Sequence, residues 1–241
     1  MPDEEVYDRF NTSLIRSLDT MGTDYVDLFL LHSQLIENDH ESQKPDSSFV
    51  ATGNLTTLKS FYDAVVPAME TLKKEGKILN WGIGPGQEEA VCDVINSTTP
   101  PDAIQCGVNV LNSLGAIGYA SIKPNPKLVL DESKKKDIPI LAIRAVQAGA
   151  LTSKMDREPH PSGFDHPDFA DYEKAQPFRE LAEDWGESPA SLAHRYALSI
   201  DKVGSVILGI KNREELIECL EAEKKGRLDT EQIYTLENLF N

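Results

Sequence analysis

Residues 25–32 read Tyr-Val-Asp-Leu-Phe-Leu-Leu-His, a nearly continuous apolar run. A run this short is typical of a β-strand that is buried on both faces of a parallel sheet. Residues 3–21, just before it, repeat apolar side chains on one helical face, and Gly22 after them is a typical helix stop. The sequence therefore predicts a helix that leads into a buried parallel strand.

The alternation of strand and helix patterns continues to the end of the chain. Further strands are predicted at residues 77–83, 102–108, 138–143 and 203–208. Helices are predicted at residues 58–75, 87–95, 126–136, 173–185, 189–199, 213–222 and 230–240. Repeated βα units predict an α/β fold with a parallel sheet of five strands, whereas a closed barrel of this kind needs about eight.

Two long polar stretches, residues 34–56 and 156–171, interrupt the alternation and carry no periodicity. They are predicted to be loops, and loops of this length are usually functional or disordered. Capping residues mark three helix starts, at Ser188, Asn212 and Asp229.

The charge balance excludes several classes of partner. The 241 residues carry 40 Asp and Glu against 24 Lys and Arg, a net charge of −16. Nucleic acids and anionic membranes require basic surfaces, so neither partner is expected. Without a long apolar run or a signal peptide, the expected location is the cytoplasm. The cysteines match no metal or redox spacing, so we expect no metal site and reduced, mostly buried thiols at Cys92, Cys106 and Cys219.

Five stretches, taken in order, resemble the aldo-keto reductase family. They are Ser-Leu-Asp-Thr-Met-Gly-Thr-Asp-Tyr-Val-Asp-Leu-Phe-Leu-Leu-His at 17–32, Met-Glu-Thr-Leu-Lys-Lys-Glu-Gly-Lys-Ile at 69–78 with Trp-Gly-Ile-Gly at 81–84, Ala-Ile-Arg-Ala-Val-Gln-Ala-Gly-Ala-Leu-Thr at 142–152, Ser-Pro-Ala-Ser-Leu-Ala at 188–193, and Ser-Val-Ile-Leu-Gly-Ile-Lys-Asn-Arg-Glu-Glu-Leu at 205–216. The resemblance covers nearly the whole chain, which we interpret as one domain over residues 1–241. It implies a (β/α)8 TIM-barrel fold, here a partial barrel with about five parallel strands and flanking helices. It also implies reduction of an aldehyde or ketone by NADPH or NADH.

The family's catalytic set is an Asp, a Tyr, a Lys and a His. His32, at the carboxyl end of its predicted strand, matches the histidine that orients the substrate carbonyl. Alternatively, His32 caps the strand and bonds to nearby backbone. The family's Asp, Tyr and Lys lie upstream of the matched segment, and none of the seven tyrosines matches the catalytic one in context. We therefore expect that the N-terminal third, comprising the first three βα units, is missing.

The residues that the resemblance assigns to the nicotinamide end depart from the family in part. Gln105 matches a glutamine that binds the carboxamide, or else it is a buried amide satisfied by backbone. Gly84 and Pro85 replace a Ser-Asn pair, which weakens one clamp, and we interpret them as a sharp turn. Ile143 and Arg144 stand where many members have an aromatic and then a polar residue. The alternatives for Arg144 are stacking, contact with a phosphate, or simple solvation.

The adenosine end is assigned, by the same resemblance, to a helix start and its first turns. Gly209, Lys211 and Asn212 begin that helix, whose free N–H groups suit an anion. Glu215 stands where NADP-preferring members often carry Arg, but it also lies at capping-box spacing from Asn212. The remaining assignments are Glu218, which matches an adenine-contacting Glu, and Cys219, which replaces the usual Asn. The expected cofactor is NADP or NAD, with weak or lost binding.

Two functional hypotheses follow. The first is an oxidoreductase of aldo-keto reductase type that acts on a small carbonyl compound and is inactive as this truncated chain. The second is a non-catalytic binding or regulatory descendant on a partial barrel. A different barrel enzyme, such as an isomerase, is a weaker third alternative. A five-stranded partial barrel exposes two sheet edges, which predicts self-association.

Overall fold

The computed structural model describes residues 5–38, 55–118, 123–155 and 167–240. The chain divides into two compact units, Met1–Gln105 and Cys106–Asn241. The interpretation of residues 1–241 as one domain stays a prediction.

The first unit alternates short strands with helices. Its elements are α1 (Val6–Met21), β1 (Val26–Leu31), β2 (Gln34–Ile36), β3 (Leu55–Thr57), α2 (Leu58–Ser60), a π-helical turn (Phe61–Val65), α3 (Val66–Lys74), β4 (Ile78–Ile83), α4 (Glu88–Ile95) and β5 (Ala103–Gly107), which extends into the second unit. The helix α1 ends at Gly22, whose φ of 68° is left-handed, and the backbone N–H of Gly22 bonds to Leu18 O. This confirms the predicted helix stop.

Parallel pairing brings the carboxyl ends of three strands of the first unit to one edge. Leu31 of β1 pairs with Ile83 of β4, and Ile83 is also opposite Ile104 of β5. The helices cover fully buried side chains, among them Phe61, Met69, Trp81 and Ile83. Side chains that follow these strand ends are therefore neighbours.

The prediction that residues 25–32 are buried on both faces is wrong. Among the residues of β1, only Leu31 is buried, and the others are half-buried or, in the case of Asp27, exposed. Among the described strands, β1 stands at the end of the strand order and pairs with β4 alone. An edge position leaves one side of the strand uncovered, which the apolar pattern does not reveal.

The second unit contains the end of β5 and two further strands. Its elements are a 3-10 turn (Gly115–Ile117), α5 (Pro126–Lys136), β6 (Ile140–Ile143), a second 3-10 turn (Gln147–Gly149), α6 (Pro167–Lys174), α7 (Gln176–Asp184), α8 (Pro189–Ser199), β7 (Val203–Val206), α9 (Arg213–Lys225) and α10 (Thr230–Glu237). Strands β6 and β7 are parallel, with Ile140 opposite Val203. The apolar core lies among helices α7, α8 and α10, and it contains Phe178, Leu192, Tyr196 and Leu236.

The five strands follow the order β1-β4-β5-β6-β7 in one sheet, and all of them are parallel. The predicted α/β architecture of five parallel strands with flanking helices is thus confirmed. Within the described residues the sheet does not close into a barrel. Among the described helices, none has the length and apolar character that crossing a bilayer requires.

Two of the predicted loops are partly wrong. In the stretch 34–56, β2 and β3 pair with each other in parallel, and residues 39–54 lie outside the described residues. In the stretch 156–171, residues 156–166 lie outside the described residues, and α6 begins at Pro167. The single helix predicted at 173–185 is two helices, α6 and α7. Elements of three to eight residues are too short to establish a period in the sequence.

The predicted caps are present at all three helix starts. The side chains of Ser188, Asn212 and Asp229 accept hydrogen bonds from Ser191 N, Glu215 N and Gln232 N. Asp229 and Gln232 form a complete capping box. The prediction of mostly buried cysteines is wrong for two of the three, since Cys106 is buried but Cys92 and Cys219 are half-buried.

Candidate functional site

The first unit places three of the residues discussed above at the carboxyl end of its sheet. His32 follows β1 directly and is exposed, Gly84 follows β4, and Gln105 lies on β5. The backbone N–H of Gly84 bonds to Leu31 O at 3.1 Å, which holds the end of β4 beside His32. A Cβ on Gly84 would lie 4.0 Å from Gln105 Oε1. The half-buried amide of Gln105 therefore lies close to the turn that follows β4.

The turn after β4 packs on β2, which sequence reasoning had missed. Gln87 N donates to Leu35 O at 2.8 Å, and Gln87 Oε1 accepts from Glu37 N at 2.8 Å. A Cβ on Gly86 would lie 2.6 Å from the backbone N and O of Leu35, so only glycine fits there. This close approach supports the interpretation of residues 84–86 as a sharp turn.

In the second unit, Arg144 follows β6 and enters a buried polar network. Its side chain is 15% exposed and forms an ion pair with Asp168, whose side chain is 2% exposed. Arg144 Nε also donates to Gln147 Oε1 at 2.9 Å. Simple solvation of Arg144, one of the three alternatives above, is therefore wrong. The neighbouring Ile143 is half-buried at the end of β6.

Gln147 is the most connected member of this network and is fully buried. Its Nε2 donates to Asp171 Oδ2 at 2.6 Å and to Ser113 Oγ at 3.1 Å. Ser113 Oγ in turn lies 2.6 Å from Asp171 Oδ2. Asn109 Nδ2 bonds to the carbonyl of Arg144 at 3.2 Å. Hydrogen bonds between polar side chains thereby link the loops after β5 and β6 to α6.

The backbone of this network is strained. Arg144, Gln147 and Ala148 have φ values of 59°, 45° and 53°, in the left-handed region that costs non-glycine residues about 1–3 kcal/mol each. Gly115, with φ 51°, lies against the network, and a Cβ there would meet Asp168 Oδ1 at 2.1 Å. Strain of this kind concentrates at functional sites. The sequence carried no signal for it, because the residues of the loops and those of α6 that meet here are 24 to 58 positions apart.

The residues assigned to the adenosine end lie at the start of α9 and in its first turns. Gly209, Lys211 and Asn212 are exposed. The predicted capping box is half correct. Asn212 Oδ1 accepts from Glu215 N at 2.9 Å, but the Glu215 carboxylate accepts from Lys211 N at 2.8 Å and not from Asn212 N.

Glu218 and Cys219 contact helix α8. Ser188 Oγ donates to Glu218 Oε1. Cys219 Sγ lies 3.3 Å from Nε2 of His194, a residue that is 6% exposed. Burial lowers the pKa of His194 although Glu218 opposes this, and burial raises the pKa of the Cys219 thiol. Both shifts disfavour the thiolate–imidazolium pair, so this sulfur–nitrogen hydrogen bond does not activate Cys219 as a nucleophile.

Three described tyrosines have perturbed acidity, and none resembles a proton donor activated by lysine. Tyr7 OH lies 2.8 Å from Glu75 Oε1, and the hydrogen bond to Glu75 raises the pKa of Tyr7. Lys77 Nζ pairs with the same carboxylate at 2.7 Å. Burial raises the pKa of Tyr62 and of Tyr196. A catalytic tyrosine would require the opposite direction of shift.

The sequence model described as "Aldo/keto reductase family" matches residues 4–241, so the chain belongs to the aldo-keto reductase family. It is 25% identical over 228 residues to "Uncharacterized oxidoreductase YqkF" of Bacillus subtilis (strain 168). That match covers 92% of this chain but only 63% of the length of the relative.

Two solved structures share the fold. The aldo-keto reductase AKR11C1 from Bacillus halodurans, in its holo form, superposes with a TM-score of 0.67 at 18% identity, covering 97% of this chain and 67% of that one. The glycerol dehydrogenase AKR11B4 from Gluconobacter oxydans gives a TM-score of 0.67 at 19% identity, covering 97% and 64%. These matches confirm the predicted TIM-barrel family of the fold.

Proposed function

We propose that this chain is an oxidoreductase-type domain that binds NADP or NAD and a small-molecule aldehyde or ketone. In this proposal His32 orients the substrate carbonyl, and Gln105 holds the carboxamide of the nicotinamide ring. The observation that carries the proposal is the approach of Gln105 to Gly84, beside the strand end that bears His32. An amide both donates and accepts, which suits a carboxamide.

The remaining cofactor contacts are proposed along the second unit. Ile143 and Arg144 would contact the cofactor after β6, and Gly209, Lys211, Asn212 and Glu218 would contact its adenosine end. NADPH or NADH, when bound, supplies a hydride. The residues here bind and orient, and an imidazole N–H of His32 donates a hydrogen bond to the carbonyl oxygen.

We expect weak binding of the dinucleotide, because some of the proposed contact residues already bond to other residues and others have no polar side chain. Gly84 offers no polar group, and the Glu218 carboxylate already accepts from Ser188. The Glu215 carboxylate at the start of α9 disfavours a 2′-phosphate, which favours NAD over NADP.

We further propose that the 241-residue chain alone does not reduce carbonyl compounds at a measurable rate. The proton donor of such a reaction needs a pKa matched to its task. The described tyrosines with shifted acidity all have raised pKa values.

A non-catalytic binding protein is the second candidate. The engagement of Arg144 by Asp168 favours it, because a neutralised guanidinium attracts phosphate weakly. Both candidates allow dinucleotide binding at Gln105 and no turnover by the 241-residue chain alone, and the second differs in giving the chain no catalytic role.

Calorimetric titration of the full chain with NAD and NADP tests the binding site. We expect dissociation constants weaker than micromolar and a loss of binding in Gln105→Leu. The matched control is Gln176→Leu, an exposed amide on α7 that bonds to Glu180. Equal binding by wild type and Gln105→Leu would refute the assignment. Turnover of a small aldehyde with NADPH, lost in His32→Ala, would refute the proposed inactivity.

The exposed apolar surfaces support self-association as part of the proposal. The first unit exposes Ile15, Met21 and Tyr25, and the second exposes Ile207, Ile210, Leu216, Ile217 and Leu220, each by 40% or more. The net charge of −16 opposes contact between copies at low ionic strength. Light scattering should therefore show an oligomer that grows with salt and is weakened in Leu220→Lys. A monomer at all salt concentrations would refute this part. The cytoplasmic location stays a prediction.

A further inference from the structure

Arg144 and Asp168 meet from two separate elements of the second unit. Arg144 lies directly after β6, and Asp168 is in the first turn of α6. Asp168 Oδ1 also accepts from Ala116 N at 3.2 Å. The carboxylate therefore occupies a position lined by a guanidinium and a backbone N–H, which are donors that phosphate and carboxylate ligands also use.

A further carboxylate beside the Arg144–Asp168 pair gives the cluster an excess negative charge. A second carboxylate, Asp171, reaches the same network through Gln147 Nε2 and Ser113 Oγ. Arg144 is thus accompanied by two acidic side chains from one helix, and the cluster formed by Arg144, Asp168 and Asp171 has a net charge of −1. An external anion meets no attractive field here while Asp168 holds Arg144.

The shape of the site agrees with a carboxylate that takes the place of a ligand. Gly115 leaves the space that Asp168 Oδ1 and Arg144 Nη2 fill, since a Cβ there would lie 2.1 and 2.4 Å from these atoms. The strained φ of Arg144 holds its side chain at the carboxyl end of β6, where α/β proteins bind ligands.

We propose that Asp168 is an internal substitute for a ligand anion, so that α6 closes the Arg144 site to phosphate groups in this conformation. Binding of an anion at Arg144 requires Asp168 to leave, and removal of its charge opens the site. The identification of the anion with the phosphates of a dinucleotide rests on the proposed function. The exchange of carboxylate for anion does not.

Asp168→Asn tests the exchange, because the amide keeps the size of the side chain and the acceptor for Ala116 N. The probe is inorganic pyrophosphate, titrated by calorimetry. We expect at least about tenfold tighter binding than in wild type, the gain that relief of one charge-assisted hydrogen bond gives. Asp171→Asn removes the same charge from the same helix but leaves Asp168 on Arg144, so it is the matched control and should show a clearly smaller gain. Arg144→Gln, added to Asp168→Asn, should abolish the gain.

An unchanged or weaker affinity in Asp168→Asn would overturn the proposal and leave Asp168 as a positioning residue for Arg144. If that variant does not fold, hydrogen exchange of the wild-type chain decides. Saturating pyrophosphate should accelerate exchange of the α6 amides, because Asp168 leaves Arg144 and α6 loses this contact. Slower or unchanged exchange would overturn the proposal.

NAD and NADP, used as further probes, separate this proposal from the proposed function. A gain for pyrophosphate without any dinucleotide binding supports the exchange and refutes the proposed function. Dinucleotide binding by wild type that is unchanged in Asp168→Asn supports the proposed function and refutes the identification of the anion with the phosphates of a dinucleotide.

Discussion

Replacing Glu187 with Ala should strongly destabilise the second unit. Glu187 precedes α8 and accepts from Arg195 Nη1 at 2.6 Å and from Ser191 Oγ at 2.5 Å. Lys225, at the end of α9, reaches it at 3.2 Å. The side chains of Glu187 and Arg195 are only 7% and 12% exposed. The carboxylate thus joins α8 to α9, the helix that carries the proposed adenosine-end residues.

The magnitude follows from the burial of this pair. Removing one partner of a buried ion pair costs about 3–5 kcal/mol, because the other charge is left uncompensated. Arg195 Nε keeps its bond to Gly226 O at 2.8 Å. We therefore expect the lower end of that range, about 3 kcal/mol, which is a large part of the ~5–15 kcal/mol that stabilises a typical protein.

The effect should depend on pH with a definite sign. Burial, the largest single influence, raises the pKa of Glu187, but hydrogen bonds from Ser191, Lys225 and Arg195 together hold it below its ordinary value of 4.5. A carboxyl with a lowered folded pKa contributes stability above its unfolded pKa, and this contribution is lost as the pH falls through the folded value. The difference between wild type and Glu187→Gln should therefore shrink below pH 4.5.

Urea denaturation followed by circular dichroism measures both effects. The control is Asp63→Ala, which breaks the exposed pair with Lys59 and should cost less than ~0.5 kcal/mol. A cost under ~1 kcal/mol for Glu187→Ala would contradict the reasoning from buried ion pairs. So would a difference between wild type and Glu187→Gln that stays constant from pH 7 to below the ordinary pKa.

Three further outcomes are expected. Gly115→Ala should lower the free energy of unfolding by at least ~1–2 kcal/mol, because its φ of 51° is left-handed and its Cβ would meet Asp168; the control, Gly204→Ala, meets nothing within 4 Å and should be neutral. In Gly84→Ser the new Cβ has an ordinary contact with Gln105 and a tight 3.3 Å contact with Leu31 O. The added hydroxyl should tighten dinucleotide binding, measured by calorimetry, by about two- to tenfold through one hydrogen bond. Equal or weaker binding would count against Gln105 as a cofactor contact. Asp229→Ala should cost ~1 kcal/mol in thermal unfolding because the capping box of α10 is lost, whereas the exposed Glu231→Ala should cost far less.

The periodic elements were predictable because their signals are local. Helices α5 and α8 begin and end where the sequence predicts them, at Pro126–Lys136 and Pro189–Ser199. Each begins with a proline in its first turn, and such turn chemistry acts within a few residues. The helix stop at Gly22 and the turn at Gly84 and Pro85 were equally predictable. The half-buried state of β1 was not, because it depends on which strand lies beside it.

The candidate site divides in the same way. His32, Gln105, Ile143 and Arg144 were predicted from the resemblance of short stretches. The structure places Gln105 in the middle of β5, Ile143 at the end of β6, and His32 and Arg144 directly after β1 and β6. Gln147, Asp168 and Asp171 were missed, although they determine what surrounds Arg144. A pattern of polar residues in a loop does not reveal which distant charged side chain each of them contacts in the fold.

The amino-acid sequence by itself determined the βα order, the family and the placement of the candidate residues on or directly after strands, because hydrophobic period, caps and motifs are properties of neighbouring residues. Only the tertiary structure decided that most side chains of β1 are half-buried and that Glu218 bonds to Ser188. It also decided that Arg144 is neutralised by a carboxylate 24 residues away. Those outcomes depend on burial and on contacts between distant segments, where electrostatic strength is set by the surroundings and not by the residue itself.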